Sequence, residues 1–457
     1  MHDVAIIGGG PGGYAAALYA HNFGLSVVLV EKDKVGGTCL HRGCIPAKSL
    51  LHTAEVFLEV GRAAEVGVMS SPPTIDWNRA LARKGVVVDQ LHAGLSGLMK
   101  KRQVEVLSGT GRLSGRGTVD VAGNDGSATR IEAKAIIIAT GSVPKAIPGY
   151  EIDGVRIVTS DHALEWPALP GRVAVIGAGA IGVEFASLLA DLGSTVHLFE
   201  VIDQVVPGAE PAAARLLARE LSKKGVQIRT GVAVGPAHIT PSGVVVPFGE
   251  ESVEVDVVLV AVGRAPTTAN IGLEEAGVRL DRGYVVVDRQ TMLTDAPGVY
   301  AVGDIVAGTP QLAHAGFAEG IAAITHIATG VAAPIDYRAI PLVVYTAPEL
   351  ASVGLTEQQA KAAGYQVEVH DHPFGGVGRA IIKGETAGLV KIIVHKDGPI
   401  LGATVVGPSA GELIHELMYS VGWEALPAEA AAFIHAHPTL SEAVGESLLA
   451  ASGRSLH

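Results

Sequence analysis

Cys39 and Cys44 are the only cysteines in the chain, five positions apart in Gly-Gly-Thr-Cys-Leu-His-Arg-Gly-Cys-Ile-Pro-Ala-Lys (36–48). A close thiol pair can alternate between dithiol and disulfide and so carry two electrons. This pair follows a glycine-rich dinucleotide signature by a few residues, where it could pass electrons between a redox cofactor and a second dithiol. Two cysteines in 457 residues do not make a secreted disulfide scaffold. Metal binding is the weaker reading, because the spacing is not that of a zinc knuckle and no second cysteine pair exists. The plain alternative is two reduced core cysteines. A disulfide between them has geometry of its own to satisfy. Five helical steps rise about 7.5 Å, beyond the roughly 6.8 Å Cα separation that a disulfide tolerates. The sequence therefore predicts a distorted turn aided by Gly43, then a helix with Pro46 in its first turn. The N-terminus of that helix would stabilise a thiolate at Cys44.

The elements that position these thiols are written twice. Val4-Ala5-Ile6-Ile7 runs into Gly8, Gly10 and Gly13, then a helical stretch from Tyr14 to Phe23, then a strand ending at Glu31. Val173-Ala174-Val175-Ile176 runs into Gly177, Gly179 and Gly182, then a helix ending near Gly193, then a strand ending at Glu200. All four landmarks shift by the same 169 residues. One G-x-G-x-x-G is weak evidence. Two in strand–turn–helix context, each with an acid 18 residues after the last glycine, are strong. The first glycine allows the turn, the second admits a pyrophosphate to the backbone N–H groups, and the third lets helix pack on strand. The acid is placed to accept hydrogen bonds from a ribose diol. Glu200 would repel a 2′-phosphate, and the next basic residue in sequence is Arg215, in a different segment. NAD(H) is favoured over NADP(H).

Composition sets the frame. The length fits about three domains, and the 58 glycines suit the tight turns of an α/β protein. The formal charge of −12 argues against nucleic-acid and anionic-membrane partners. The longest apolar candidate, Ala315 to Pro334, contains Glu319 and His326 and reads as a buried helix rather than a membrane span. Met1 lies too near the first strand for a signal or transit peptide, so a cytoplasmic protein is expected. Further signals are a buried strand Ala135–Ala139 meeting Thr140-Gly141, its echo from Val257 to Gly263, and a strand ending at Gly303-Asp304. From about Pro341 the pattern becomes alternating strands (Gln366 to Val369, Leu389 to Val394, Ile400 to Val406), with Asp397-Gly398 as a hairpin turn. The expected fold is α/β: two Rossmann-like dinucleotide-binding domains followed by an α+β domain.

Over essentially its whole length the chain resembles the pyridine-nucleotide:disulfide oxidoreductases, and within them the branch that oxidises dihydrolipoyl groups. The resemblance lies in GGTCLHRGCIPAKSLL (36–51), GAGAIGVEFASLLADLGSTVHLFE (177–200), TDAPGVYAVGDI (294–305), YTAPELASVGLT (345–356) and HAHPTLSE (435–442). It implies FAD on the first dinucleotide fold, NAD on the second, and a C-terminal domain that forms a homodimer. Its domains would be residues 1–147 and 273–338 for FAD, 148–272 for NAD and 339–457 for dimerisation.

The resemblance also assigns roles. Cys39 is the interchange thiol that meets the dithiol substrate, and Cys44 is the thiolate nearer the flavin. Lys48 lies near flavin N5 with Glu184 as its partner; their bland readings are a surface lysine and an exposed helix residue. Asp304 holds the ribityl chain, with a strand-end turn residue as its plain reading, and Thr140, Gly141 and His314 join the FAD site. Gly263 joins the NAD site. His437 is the general acid/base, because exchange needs a thiolate and a thiol of pKa about 8.5 is mostly protonated at neutral pH. Glu442 orients His437, and Thr439 to Glu442 also fits a capping box opening the last helix. His435-Ala436-His437 lacks the further ligands a metal would need, so none is expected. The His437–Glu442 pair would come from the partner subunit. His41-Arg42 stands where Asn-Val is commoner, adding a charge near the thiols, and Ala47 stands where Ser is frequent.

The expected reaction is oxidation of a protein-bound dihydrolipoyl group with NAD⁺, in a 2-oxoacid dehydrogenase or glycine cleavage system. Two alternatives stand beside it: a glutathione- or mycothione-type reductase, and a docking subunit whose turnover is secondary. The C-terminal tail carries no cysteine, unlike the mercuric and larger thioredoxin reductases.

Overall fold

The computed structural model describes residues 1–457, which divide into two compact units. The first comprises residues 1–49, 81–144 and 264–337; the second comprises residues 50–80, 145–263 and 338–457.

In the first unit β1 (His2–Ile7) and β2 (Val27–Glu31) pair in parallel, Ile7 opposite Val30. β3 (Glu105–Gly115) extends the sheet beyond β2, and β4 (Ala128–Ile138) lies on the other side of β1, followed by Val299–Ala301. Every residue from Val4 to Ile7 is buried, as expected of a strand covered on both faces. Helix α1 (Pro11–Ala20) begins at its proline, three residues before the predicted start. Proline has no N–H to donate, and the first turn of a helix has no acceptor for one. Beyond α1 the stretch to Phe23 is a single 3₁₀ turn. One face of the sheet packs against α1 and the helix Ala313–Thr329, which buries Ala315, Gly316, Glu319 and Ala322–Ile324 as its apolar composition implied. Close approach explains the glycines: a Cβ on Gly320 would stand 2.5 Å from the Gly12 carbonyl oxygen.

The second unit repeats this order. β5 (Arg172–Ile176) and β6 (Thr195–Phe199) pair in parallel with Ile176 opposite Phe199. β7 (Gln227–Arg229) flanks β6, β8 (Val257–Val260) flanks β5, and Ile157–Val158 completes the edge. Helix α5 (Ala180–Asp191) follows the second glycine loop. From residue 342 a five-stranded antiparallel sheet runs in the order 342–344, 349–354, 400–407, 389–395, 367–373. Asp397, with φ +56°, and Gly398 form the hairpin between strands 389–395 and 400–407. The sheet packs against helices Ala410–Gly422 and Glu442–Ala451 around Phe374, Ile392, Ile414 and Leu448. No helix is long and apolar enough to cross a membrane.

Candidate active site

The two glycine loops are near-copies atom by atom. Gly8 N–H donates to Val30 O and Gly177 N–H to Phe199 O, each at 2.8 Å. Both first glycines are left-handed, φ +106° and +97°, where a side chain is strained. A Cβ on Gly13 would stand 1.9 Å from Gly8 O, and one on Gly182 would stand 1.9 Å from Gly177 O. The middle glycines differ from these: Gly10 and Gly179 have ordinary φ of −71° and −68°, and a Cβ there would meet no atom within 4 Å. Their backbones front open space at a helix N-terminus, a cradle that fits a pyrophosphate.

The acids also act alike. Glu31 Oε2 accepts from Gly9 N–H at 2.7 Å, and Glu200 Oε2 accepts from Ala178 N–H at 2.7 Å. Their other oxygens accept from Asp33 and Ile202 N–H. Each carboxylate thus ties the end of its second strand to its own glycine loop. Linear spacing missed one neighbour of Glu200. Arg229 sits on β7 in register with Phe199, and Glu200 N–H donates to its carbonyl at 2.9 Å. Its guanidinium lies 4.6 Å from the Phe248 ring centroid and 5.4 Å from that of Phe199. Parallel partners share a face, so Arg229 points with Phe199, opposite to Glu200. The Arg229 guanidinium is thus turned away from the Glu200 carboxylate.

The cysteine segment breaks at the predicted point. Helix α2 (Gly37–Arg42) ends at Gly43, whose φ −147° and ψ −109° belong to no regular structure, and α3 (Cys44–Arg62) starts at Cys44 with Pro46 in its first turn. Both cysteines are free thiols, half-buried, with their side chains hydrogen-bonded. That bond and then burial push the Cys39 thiol far above its ordinary pKa, while the Lys48 ammonium pulls it down. Cys44 lies at a helix N-terminus, where the dipole favours a thiolate. Tyr14 of α1 lies near both sulfurs: burial and then the two thiols push its phenol up to about 12. The charge of Arg42 is taken up by Asp33, 2.7 Å away.

Asp304 closes a network that the sequence did not reveal. Its Oδ2 accepts from Ser142 Oγ at 2.5 Å, and Ser142 Oγ in turn accepts from Arg264 Nε at 2.7 Å. Beneath this turn Gly303 N–H donates to Glu319 Oε2 at 2.6 Å, and Tyr337 Oη donates to Glu319 Oε1 at 3.0 Å. Burial pushes the Glu319 carboxyl up to about 7. A lone acid among the alanines of an apolar helix was the available signal. Thr140 Oγ1 donates to Thr267 O at 2.6 Å, and Gly141 is left-handed at φ +70°. His314 is exposed in the first turn of the helix Ala313–Thr329. Gly263, φ +103°, follows β8 and has open space where a Cβ would lie.

In the second unit Glu184 is buried, 6 % exposed, and its Oε1 accepts from Tyr345 N–H at 3.0 Å. An exposed helix residue it is not. His437 is 79 % exposed, with Nδ1 2.8 Å from Glu442 Oε1. Glu442 Oε2 accepts from Thr439 N–H at 2.9 Å, so the two oxygens have separate tasks. The hydrogen bond from His437 holds the Glu442 carboxyl below its usual range. The capping box is only half formed. Glu442 is the first residue of its helix rather than the third, and Thr439 Oγ1 bonds the Ala436 carbonyl instead of a helix N–H. His435 turns inward, with Nε2 2.7 Å from Glu416 Oε1. No group of three or more His, Cys, Asp or Glu side chains could hold a metal.

The chain is similar to known proteins over its whole length. Residues 2–320 match the family described as pyridine nucleotide-disulphide oxidoreductase, and residues 340–448 match its dimerisation domain. Proteins named dihydrolipoyl dehydrogenase from Bacillus subtilis and Zymomonas mobilis are 39% and 40% identical, each alignment covering all of this chain and 99% of the relative. The crystal structure of LpdA from Mycobacterium tuberculosis superposes with a TM-score of 0.91 at 29% identity, covering 98% of this chain and 99% of that one.

Proposed function

We propose that this chain, which belongs to the pyridine nucleotide-disulphide oxidoreductase family, oxidises the dihydrolipoyl group of a carrier protein with NAD⁺, the activity of a dihydrolipoyl dehydrogenase. The observation that carries the reading is the Cys39–Cys44 pair, in mutual hydrogen-bond reach across a broken helix with Cys44 at a helix start.

The cofactors are FAD and NAD. Gly8, Gly10, Gly13, Glu31, Thr140, Gly141, Lys48, Asp304 and His314 would hold FAD; Gly177, Gly179, Gly182, Glu200 and Gly263 would hold NAD. When bound, the flavin relays an electron pair from the reduced cysteines to NAD⁺. The chain's own part is thiol chemistry. One dihydrolipoyl sulfur attacks Cys39 Sγ, the Cys39–Cys44 bond breaks, and Cys44 leaves as a thiolate stabilised at the start of α3. The second dihydrolipoyl sulfur then displaces Cys39 and closes the lipoyl disulfide. His437 takes the substrate's protons in turn, and Glu442 holds its Nδ1, leaving Nε2 for proton transfer. Lys48 keeps a positive charge beside the thiols. Two protons and two electrons leave the substrate; NAD⁺ receives the electrons with one proton, and solvent the other.

The protein works as a homodimer in the cytoplasm, with His437 and Glu442 supplied across the subunit interface. Its partner is a lipoyl-bearing acyltransferase or carrier protein of a 2-oxoacid dehydrogenase or glycine cleavage system. Support comes from the dimerisation domain at 340–448 and from bacterial relatives that align over their full length. The test is turnover with dihydrolipoamide plus NAD⁺ against oxidised glutathione or mycothione plus NADPH. Preference for the second pair would overturn the assignment. His437→Gln should stay folded and yellow yet lose about 10²- to 10⁴-fold in thiol turnover; unchanged turnover removes His437 from the mechanism.

A further inference from the structure

The reaction makes no use of His41 or His92. His41 lies in the last turn of α2, two residues past Cys39, and His92 lies on α4 (Trp77–Lys101). His41 Nε2 and His92 Nδ1 each stand 3.0 Å from the same atom, the Val35 carbonyl oxygen. A carbonyl only accepts, so both nitrogens carry hydrogen and each ring is fixed in orientation. The rings meet edge to face with centroids 5.0 Å apart. Val35 is buried and directly precedes Gly36 and Gly37, whose φ values of +112° and +58° turn the chain into α2. This turn is therefore gripped from both sides, by the helix it feeds and by α4. Helix α2 needs such a grip. It is six residues long, too short to be stable alone, with a left-handed entry and an irregular exit at Gly43.

We propose that His41 and His92 form a two-donor clamp on the Val35 carbonyl that holds α2, and with it the Cys39 sulfur, in the position from which it closes onto Cys44. Both are positioning residues, and the inference rests on the reading of Cys39–Cys44 as a redox pair. Closing the disulfide joins two sulfurs and passes two electrons and two protons to a disulfide oxidant, here oxidised dithiothreitol, whose own S–S bond breaks to give two thiols. Its equilibrium depends on how tightly Cys39 is confined near Cys44, because confinement sets the effective concentration of one thiol at the other. Loosening α2 therefore favours the dithiol.

The experiment equilibrates the holoenzyme with mixtures of reduced and oxidised dithiothreitol and quantifies the Cys39–Cys44 disulfide after acid quench and alkylation. His92→Leu and His41→Asn remove one donor each, Asn at 41 being too short to reach. Both should lower the equilibrium constant for disulfide formation by about threefold to tenfold, tenfold being about 30 mV. His92→Asn carries an amide N–H where Nδ1 stood, and His41→Gln carries one where Nε2 stood; both should remain within about twofold of wild type. If His92→Leu does not fold, the His41→Asn and His41→Gln pair decides alone. Equal constants for wild type and the donor-removing variants would overturn the clamp, as would equal shifts in the donor-keeping ones. A wild-type protein that forms no Cys39–Cys44 disulfide at any ratio would instead overturn the redox reading beneath it.

Discussion

The first and second glycine loops share strand order, register, loop hydrogen bonds and the use of the acid, yet differ in what the chain does after that acid. After Glu31 the chain makes a short loop, and Gly36 N–H donates back to Gly9 O at 2.8 Å. Gly37 then packs so closely on the loop that a Cβ would lie 2.6 Å from Gly10 Cα. The thiol helix is laid directly against the first phosphate cradle. After Glu200 the chain returns to its own loop, with Val206 N–H donating to Ala178 O at 2.7 Å, and reaches Glu210, which is buried. Glu210 Oε1 lies 2.6 Å from Lys391 Nζ, and Lys391 is 2.8 Å from Glu357 Oε2. The first copy thus uses its following segment to carry the two thiols, and the second uses it for anchorage to the C-terminal sheet. Under the proposed function, the segment after the acid decides which copy is reactive.

Removing the reactive segment from this comparison gives the largest effect. Cys44→Ser should abolish dihydrolipoamide turnover by about 10⁴-fold or more while leaving flavin absorbance and NAD⁺ binding near wild type. Retained turnover would place the chemistry elsewhere. Next, matched substitutions should separate the two cradles. Gly13→Ala and Gly182→Ala make the same clash with a carbonyl oxygen, which costs about 3 kcal/mol locally. The first should yield protein deficient in flavin. The second should stay yellow and raise KM for NAD⁺ at least about tenfold. Loss of flavin in both, measured after gel filtration, would break the division of labour.

The middle glycines allow a finer comparison. Gly10→Ala and Gly179→Ala place a methyl in open space, so the melting temperature of the cofactor-stripped protein should change little, within about 0.5 kcal/mol. Affinity for FAD and NAD⁺ respectively should still fall about tenfold, because the methyl occupies the path of a pyrophosphate. Unaltered affinity would show that the ligand does not approach there. The smallest effect concerns the second copy's anchorage. Hydrogen bonds from Lys361 and Lys391 hold the Glu357 carboxyl down at about 2. A lowered carboxyl pKa stabilises the fold above its unfolded value and loses that contribution as pH falls from about 4.5 to 2. Glu357 is partly exposed, so screening limits the term to about 1 kcal/mol or less. Denaturant midpoints at pH 6 and pH 3 should converge for Glu357→Gln relative to wild type; equal pH dependence in the two proteins would dissociate Glu357 from acid stability.

Much of the molecule was legible before any coordinates. Hydrophobic runs, glycine spacing and a repeat of 169 residues specify two parallel-sheet folds with their cradles, because turn sterics and strand burial are local demands. The disulfide's distance limit likewise required a break between Cys39 and Cys44, and it lies at Gly43. Contacts between distant segments were beyond reach of the linear chain. Arg229 joins Phe199 only through strand pairing, Ser142, Arg264 and Asp304 meet only once three segments converge, and His41 meets His92 only where α4 reaches the Val35 carbonyl. The halved capping box at Glu442 teaches the same point: a local motif predicted the bond to Thr439, but the partner chosen by the Thr439 hydroxyl depended on the loop's path. Short-range sterics are written in neighbouring residues, whereas a side chain's choice among distant acceptors is made by packing.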